Sequence, residues 1–241
     1  MSGAGHNGDA WESNSRAKIR SLLDSPRFPG TISALPRFNA SLLPLLASIM
    51  SEKLGHVRIL DFGGGPGVTY VHVAGGISNP EKLDYHIVDT EVICRIGDEV
   101  FPGDERVHFH TALPDLAERV DIVHLGSSLQ YIDDWKNLLK RLATYQPHYF
   151  MLTDVPAGTM ASYVTAQNYY GSRIPARIFN FQEIVAEMAA NAFSLLFHSK
   201  FEGTYFGKVQ PMPMDNFPKD LRVGDTCSLL FCRDAAVGVI A

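Results

Sequence analysis

The feature that most constrains the fold is a glycine-rich turn that directly follows a short apolar run. Residues 57–62, V-R-I-L-D-F, predict a buried strand, and the segment Gly63-Gly64-Gly65-Pro66-Gly67 comes next. Residues without a side chain let the backbone turn tightly while a ligand approaches its amide groups. The sequence therefore predicts a ligand-binding turn at the carboxyl end of a strand.

Short apolar runs alternate with helical patterns from residue 57 onward, as in βαβ units. Such units predict an α/β fold with a mostly parallel sheet and helices on both faces. We expect the sixth strand to run parallel and the seventh to run antiparallel. The seven predicted strands cover 57–62, 85–88, 107–109, 120–125, 149–155, 194–201 and 226–231.

Changes in composition and hydrophobic periodicity along the chain divide it into three regions. Its first residues are rich in Gly, Ser and Asn, which predicts a flexible tail. Leucine and isoleucine then recur at helical spacing, with Asn39 or Ser41 as N-cap and Gly55 as the stop. We predict a tail over 1–16, an N-terminal helical extension over 17–55, and one α/β domain over 56–241 with lid loops at 156–178 and 203–225.

Composition and charge exclude several classes of protein. Apolar residues make up 46% of the 241 residues and charged residues 20%, so neither a disordered chain nor a coiled coil fits. The net charge of −5 provides no overall positive field, so we expect no nucleic-acid partner. No apolar leader or membrane-spanning run is visible, so we expect a cytoplasmic protein whose cysteines, Cys94, Cys227 and Cys232, are reduced.

A second acidic residue narrows the choice of ligand. The turn has the spacing Asp-x-Gly-x-Gly-x-Gly from Asp61 to Gly67, whereas a dinucleotide fingerprint would need glycine in place of Val68. Asp89 closes the second predicted strand, where a carboxylate can accept two hydrogen bonds from the vicinal hydroxyls of a ribose. The alternative role of Asp61 and Asp89 is turn formation and capping. The turn and Asp89 together predict an adenosine-containing ligand.

The turn, Asp89 and the run from Asp121 to Trp135 resemble class I S-adenosylmethionine-dependent methyltransferases over residues 57–155. Segments 153–158, 165–177 and 214–218 are similar to a narrower, uncharacterised methyltransferase family linked to bacterial surface-polysaccharide genes. The resemblance implies a Rossmann-like fold, S-adenosylmethionine as cofactor, and methylation of oxygen in a small polar acceptor such as a sugar or nucleotide-linked sugar.

The same resemblance implies a set of cofactor-binding residues. Asp61 is expected near the ammonium of the methionine half and Asp89 at the ribose. Thr90 and Ala112 are expected beside the adenine, and the end of the fourth strand is expected to face the cofactor. The full set is Asp61, Gly63, Gly64, Gly65, Gly67, Asp89, Thr90, Ala112, Gly126, Ser127, Ser128 and Gln130.

The acceptor side rests on residues near the same edge of the sheet. Asp154 ends the fifth predicted strand there and is the candidate base, with capping of the turn at Pro156 as its alternative role. The resemblance places Tyr131 between cofactor and acceptor as a second catalytic candidate. Side chains of the two lid loops can stack on a sugar and pair with anionic groups. The substrate-binding candidates are Asn168, Tyr169, Tyr170, Arg173, Arg177, Asp215 and Asn216.

Two other functions stay open. A nucleotide-sugar oxidoreductase or epimerase would need Tyr-x-x-x-Lys, but Trp135 stands at that spacing from Tyr131 and Lys136 misses by one. A non-catalytic S-adenosylmethionine-binding interaction protein would differ from an enzyme only in turnover.

The spacing of the histidines along the sequence predicts no metal site. His108 and His110 share one face of the third predicted strand, but no third ligand stands at a recognisable spacing. His124 lies inside the fourth predicted strand and fits a hydrogen-bonded core residue.

Overall fold

Six α-helices and twelve strands make up the computed structural model, which describes residues 8–24, 41–169, 171–205 and 207–234. The helices are α1 (Asp9–Leu23), α2 (Leu42–Leu54), α3 (Val68–Gly76), α4 (Glu91–Val100), α5 (Trp135–Ala143) and α6 (Phe181–Ala190). The strands are β1 (Val57–Phe62), β2 (Leu83–Val88), β3 (Val107–His110), β4 (Ile122–Gly126), β5 (Tyr149–Val155), β6 (Ala157–Gly158), β7 (Tyr163–Tyr169), β8 (Ser172–Asn180), β9 (Phe193–Phe201), β10 (Thr204–Tyr205), β11 (Lys208–Val209) and β12 (Thr226–Arg233).

Seven of these strands form one mixed sheet with the hydrogen-bonded order β3-β2-β1-β4-β5-β12-β9. The seven strands predicted from the sequence all form, with small shifts at their ends. β12 runs antiparallel to both β5 and β9, so the sixth strand is parallel to the fifth and the seventh is antiparallel. The predicted α/β fold class with a mostly parallel sheet is confirmed.

The chain divides into two compact units, residues 1–123 with 169–172, and residues 124–168 with 173–241. In the first unit, β1, β2 and β3 are parallel neighbours, and α2 packs against β1 and α3. Gly55 ends α2 in the left-handed conformation at φ 80°, as predicted. Ser41 occupies the N-cap position of α2 without a side-chain hydrogen bond, while Asn39 lies outside the described residues.

Helix α1 corrects the predicted flexible tail over residues 9–16, while residues 1–7 of that prediction lie outside the described residues. It begins at Asp9 and buries Trp11 and Ile19, which stand two turns apart on one face. Trp11 packs with Ile93 and Ile96 of α4, and its Nε1 donates to the hydroxyl of Tyr169 at 3.1 Å. The apolar pattern of α1 is sparse, since the third buried residue of this face is Ser15, and for that reason the sequence periodicity does not predict the helix.

The second unit is built on β5, β12 and β9, with α6 packed on β9 and α5 packed on α6. Its buried aromatic residues Phe150 and Phe193 meet edge to face at a centroid distance of 5.6 Å. Trp135 at the start of α5 packs in the same way on Phe179 of β8, at 5.2 Å. Helix α5 also buries Leu138, Leu139 and Leu142, and α6 buries Ile184 and Met188.

The two predicted lid loops contain regular structure. Segment 156–178 forms most of a three-stranded sheet with the order β6-β8-β7. Segment 203–225 contains the β10-β11 hairpin, and its Met214 and Val223 are buried against Ile178 of β8. Both segments therefore contain strands, residues 169–172 belong to the first unit, and the role of the segments as lids stays a prediction.

Two further expectations concern membranes and cysteines. In the described ranges no helix combines the length and hydropathy that a membrane span requires. Cys94, Cys227 and Cys232 carry free thiols. Burial, with help from the charges of Asp89 and Asp154 respectively, raises the pKa of both Cys94 and Cys227 to about 11, so these thiols are protonated and packed as expected.

Candidate functional site

The glycine turn after β1 has the conformation that its sequence requires. Gly65 has φ 61°, in the left-handed region, and a side chain built there would meet no atom within 4 Å. Gly64 is needed for close approach, because a Cβ at that position would lie 2.6 Å from Oδ2 of Asp61. Gly67 is the N-cap of α3 and supplies no side chain to its first turn. The amides of Gly63 and Gly65 are used by Val88 and Asp89, so the turn offers a ligand its remaining amides, the N-terminus of α3 and the open space at Gly65.

Asp61 supports this turn from inside the protein. Its side chain is fully buried, and Oδ2 accepts a hydrogen bond of 2.7 Å from the hydroxyl of Tyr85 on β2. Burial and the charge of Asp61 raise the pKa of Tyr85 well above its usual value, so this hydroxyl stays a donor. The arrangement aligns the carboxylate under Gly64.

Asp89 joins the second strand to the turn. Its Oδ2 accepts from the amide of Gly65 at 3.0 Å, and its Oδ1 accepts from the amide of Thr90 at 2.7 Å. Burial raises the pKa of Asp89, while the two amides oppose the rise. A carboxylate oxygen has a second acceptor position, so Asp89 can hold the turn and still receive ribose hydroxyls.

The start of α4 adds features of a ligand site. Thr90 is the N-cap of α4, and its buried Oγ1 hydrogen-bonds to no residue in the described part of the chain. An open cavity of about 620 Å³ follows along α4 and is lined by Glu91, Cys94, Phe109, His110 and Thr111, among others, but not by Thr90 or the glycine turn. The exposed residue Ala112 follows Thr111. The volume lies in the range of small-molecule sites.

In the second unit, the ends of β4 and β5 carry strained residues. Ser127 has φ 52° and Asp154 has φ 55°, both unusual for residues other than glycine. The hydroxyl of Ser127 donates to Oδ2 of Asp154, and the hydroxyl of Thr226 donates to its Oδ1 at 2.5 Å. Asp154 thus has two hydroxyl partners, which makes this cluster a candidate for proton handling.

The residues that follow Ser127 are enclosed. Ser128 and Gln130 are buried, and Oε1 of Gln130 has no partner among the described residues. Tyr131 donates from its hydroxyl to Oε1 of Gln167 on β7, at 2.9 Å. His124 is buried in β4 with Nε2 2.9 Å from Oγ1 of Thr153, which fits the core role expected of it. A Cβ at position 126 would lie 2.9 Å from that imidazole, so there is no room for a side chain larger than that of glycine at this position.

The residues predicted to bind the acceptor lie on different faces and different elements. Asn168 and Tyr169 point to opposite sides of β7, and Tyr169 is engaged by Trp11 in the first unit. Arg173 and Arg177 share one face of β8, where Arg177 lies 3.7 Å from Asp133. Asp215 and Asn216 are exposed, and Tyr170 lies outside the described residues.

Two functional candidates were missed in the sequence. Thr226, the first residue of β12, contacts Asp154 only because β12 pairs with β5. Tyr205 lies near the same group: burial and the charge of Asp154 raise the pKa of Tyr205 to about 12, and it hydrogen-bonds Thr226. Both depend on strand pairing, so a linear motif could not have revealed them.

No protein-family model matches the sequence, and no curated protein matches it either. Solved structures match its fold. The N-terminal domain of EvdMO1, solved with S-adenosylhomocysteine and D-fucose, is 14% identical with TM-score 0.53 over 94% of this chain and 99% of that chain. A 1,6-didemethyltoxoflavin-N1-methyltransferase from Burkholderia thailandensis is 14% identical with TM-score 0.52 over 97% and 91%. The sugar N-methyltransferase KedS8 from Streptoalloteichus is 13% identical with TM-score 0.50 over 81% and 86%.

These similarities, together with the strand order, define the class of fold. The chain has the Rossmann-like fold of class I S-adenosylmethionine-dependent methyltransferases.

Proposed function

We propose that the chain is an S-adenosylmethionine-dependent methyltransferase. The observation that carries this proposal is the hydrogen bond from the Gly65 amide to Asp89, which joins the open glycine turn to a carboxylate suited to a ribose. The unpartnered Oγ1 of Thr90 and the space above Gly65 fit a nucleoside ligand on this side of the first unit. A dinucleotide is disfavoured because Val68 replaces the last glycine of that fingerprint.

The residues of the turn would hold the cofactor as follows. Asp89 would accept from the ribose hydroxyls, and the turn with the N-terminus of α3 would lie beside the methionine half. Thr90 and Ala112 would flank the adenine. When bound, S-adenosylmethionine supplies an electrophilic methyl group on sulfur, so the protein needs to supply in-line placement and, for a hydroxyl acceptor, a base.

The cofactor roles of Gly126, Ser127, Ser128 and Gln130 stay predictions. Their supporting observations are the confined backbone at Gly126 and the unpartnered Oε1 of Gln130 in the described chain. Asp61 has a buried partner in Tyr85, so its proposed approach to the cofactor ammonium would be made through its remaining acceptor positions.

We further propose that the acceptor is a hydroxyl of a small polar molecule, with a sugar or nucleotide-linked sugar as the first choice. Asp154 with its hydroxyl partners Ser127 and Thr226 is a group that could receive an acceptor proton. Tyr131 is the second catalytic candidate. EvdMO1 was solved with D-fucose and KedS8 is a sugar N-methyltransferase, which supports a sugar as the first acceptor class to test. A link to surface-polysaccharide synthesis rests on the sequence resemblance alone.

Calorimetric titration tests the cofactor assignment. The protein is titrated with S-adenosylhomocysteine, S-adenosylmethionine, NAD and NADP, and the first two are expected to bind while the dinucleotides do not. Asp89→Ala should weaken S-adenosylhomocysteine binding by about 2–4 kcal/mol, because charge-assisted hydrogen bonds to the ribose are lost. Asp24→Ala removes an exposed carboxylate at the end of α1 and serves as the matched control. Equal affinities of the two variants would refute the ribose assignment.

A methyl-transfer panel tests the acceptor class. The protein is incubated with labelled S-adenosylmethionine and separate pools of free sugars, nucleotide-linked sugars and small amines, and methylated products are identified by mass spectrometry. We expect a product one methyl group heavier in a sugar pool. Methyl transfer only to amines would show that the acceptor is an amine and not a sugar hydroxyl. Binding of S-adenosylmethionine without transfer to any pool would favour the non-catalytic alternative.

A further inference from the structure

A cluster of one carboxylate and three imidazoles lies on the outer strands of the first unit, apart from the glycine turn. Asp84 and His86 stand two residues apart on β2, and His108 and His110 do so on β3. The strands are parallel, and the register pairs His86 with His108 and Val88 with His110. Alternation along a strand therefore brings all four side chains to one face of the sheet.

The nearest atoms of this cluster are spaced as in a metal coordination shell. Oδ1 of Asp84 lies 2.9 Å from Nε2 of His86 and 3.3 Å from Nε2 of His108. One ligand atom from each of Asp84, His86 and His108 lies within 4.8 Å of the others. With metal–ligand bonds of about 2.0–2.2 Å, neighbouring atoms of a tetrahedral shell are about 3.3 Å apart. His86 and His108 stack at a centroid distance of 4.8 Å, so their rings would have to rotate for both lone pairs to point at one ion.

Surrounding groups orient these three side chains. Nε of Arg58 donates to the other oxygen of Asp84, Oδ2, at 2.5 Å, which leaves Oδ1 facing the imidazoles. Nδ1 of His86 lies 3.0 Å from Nε2 of His110, and in the tautomer in which His86 donates this hydrogen bond, its Nε2 carries the lone pair that a metal ion needs. Such outer hydrogen bonds are what fixes the tautomer and orientation of metal-ligating histidines.

His86 is buried beside Asp84 without a well-directed hydrogen bond to it. The residue is 7% exposed, and its buried Nε2 makes no hydrogen bond of acceptable direction to any described residue, although Asp84 is close. A buried polar atom without such a bond is costly, and a metal ion would satisfy it. The side chain of His108 is 42% exposed, so an ion can reach the cluster from solvent.

We propose that Asp84, His86 and His108 bind a divalent transition-metal ion of the zinc type, with water in the remaining position and His110 as the outer partner of His86. Two imidazoles with one carboxylate favour Zn²⁺, Co²⁺, Ni²⁺ or Cu²⁺ over Mg²⁺ and Ca²⁺, which prefer oxygen ligands. The ion would tie the edge strand β3 to β2. Its role is structural and separate from methyl transfer.

Metal titration of the tag-free protein, after dialysis against a chelator, tests this site. Zn²⁺ is added in the calorimeter, and Co²⁺ is added in parallel because its visible absorption reports tetrahedral nitrogen and oxygen ligation. We expect one equivalent to bind, and we expect Zn²⁺ to raise the melting temperature. His108→Ala should weaken the binding of both ions at least tenfold, and Asp84→Asn should act in the same direction.

The matched control is His198→Ala, which removes an exposed histidine from β9, the opposite edge strand of the sheet. This control is expected to bind like the parent. His108 is itself half-exposed, so its variant should fold, and circular dichroism checks this. The proposal is overturned if the parent binds no stoichiometric ion, or if His108→Ala and Asp84→Asn both bind like the control. Because the readout is metal binding, failure of the methyltransferase assignment would leave this result unchanged.

Discussion

Asp89 is the residue on which the proposed cofactor site most depends. It holds the Gly65 amide with one oxygen and the Thr90 amide with the other, so the predicted ribose ligand also fixes the shape of the turn. The capping role that the sequence left as an alternative is therefore present. It is compatible with ligand binding because each oxygen retains an acceptor position.

The raised pKa of Asp89 predicts a pH-dependent affinity. Burial raises this pKa above the usual value of about 3.9, so the carboxyl takes up a proton at a higher pH than an ordinary aspartate does. The ionised form accepts ribose hydroxyls most strongly, so affinity for S-adenosylhomocysteine should fall as the pH is lowered through the raised pKa. Calorimetry across the mildly acidic range measures the effect.

Asp89→Asn provides the control for this titration. The variant should bind more weakly at neutral pH and should show little further loss on acidification, because the titrating group is absent. If the parent and Asp89→Asn lose affinity in parallel, another group controls the pH dependence.

Asp154 is the corresponding residue on the acceptor side. If it receives the acceptor proton, Asp154→Asn should lower kcat by about 10²–10⁴-fold while leaving S-adenosylhomocysteine affinity unchanged. The exposed Asp220→Asn is the matched control and should retain parental kcat. A purely structural role, in which Asp154 only joins Ser127 to Thr226, would instead lower the melting temperature and leave kcat near the parental value.

At the level of elements, the three-stranded sheet β6-β8-β7 changes how the predicted lid is understood. Its strand β8 alternates buried Ile174, Ala176 and Ile178 with outward Arg173 and Arg177, so the arginines are held on a strand rather than on a loop. A strand restricts the directions in which the two guanidinium groups can reach. That restriction favours recognition of one anionic group over loose charge attraction.

Arg177 of β8 is the residue of this sheet whose role in binding an anionic acceptor can be tested. Its Nε is buried and unpartnered among the described residues, and its Nη2 lies 3.7 Å from Oδ1 of Asp133, whose side chain is fully exposed. For an anionic acceptor, Arg177→Ala should raise the acceptor KM by the equivalent of about 1.5–3 kcal/mol, and lysine should restore only part of the loss. Cofactor affinity should not change. Unchanged acceptor KM and melting temperature would remove Arg177 from the acceptor site.

The main sheet could be predicted from sequence because each strand is an apolar run between turn or helix signals. The sheet β6-β8-β7 could not be predicted in the same way, because β7 carries polar residues such as Thr165 and Gln167 on its half-buried face. The alternation of apolar Ile174, Ala176 and Ile178 with polar residues is typical of a half-buried strand and could have predicted β8. The proposed metal cluster needed the pairing of His86 with His108, and strand register is invisible in a linear sequence.

At the scale of the whole molecule, binding of the cofactor and of metal should be independent. Methyl transfer uses an electrophile carried by the cofactor, and Asp84, His86 and His108 are separate from the residues proposed to handle the methyl group. Dialysis against a chelator should therefore lower the melting temperature and leave the methyl-transfer rate unchanged. Loss of transfer that is restored by a divalent ion would contradict this independence.

The central claim is that the turn after β1 binds S-adenosylmethionine. Two glycines that flank β1 allow a matched test, because Gly55 and Gly65 both have positive φ and a Cβ on either would meet no atom within 4 Å. Alanine at each position should cost a similar free energy of folding, about 1–2 kcal/mol. Only the methyl group at residue 65 would enter the proposed cofactor space.

Calorimetric affinity for S-adenosylhomocysteine, compared between Gly65→Ala and Gly55→Ala, is the most direct test. We expect Gly65→Ala to bind about tenfold or more weakly than the parent, while Gly55→Ala retains parental affinity. Equal affinity in the two variants, or no binding by the parent protein, would contradict the claim.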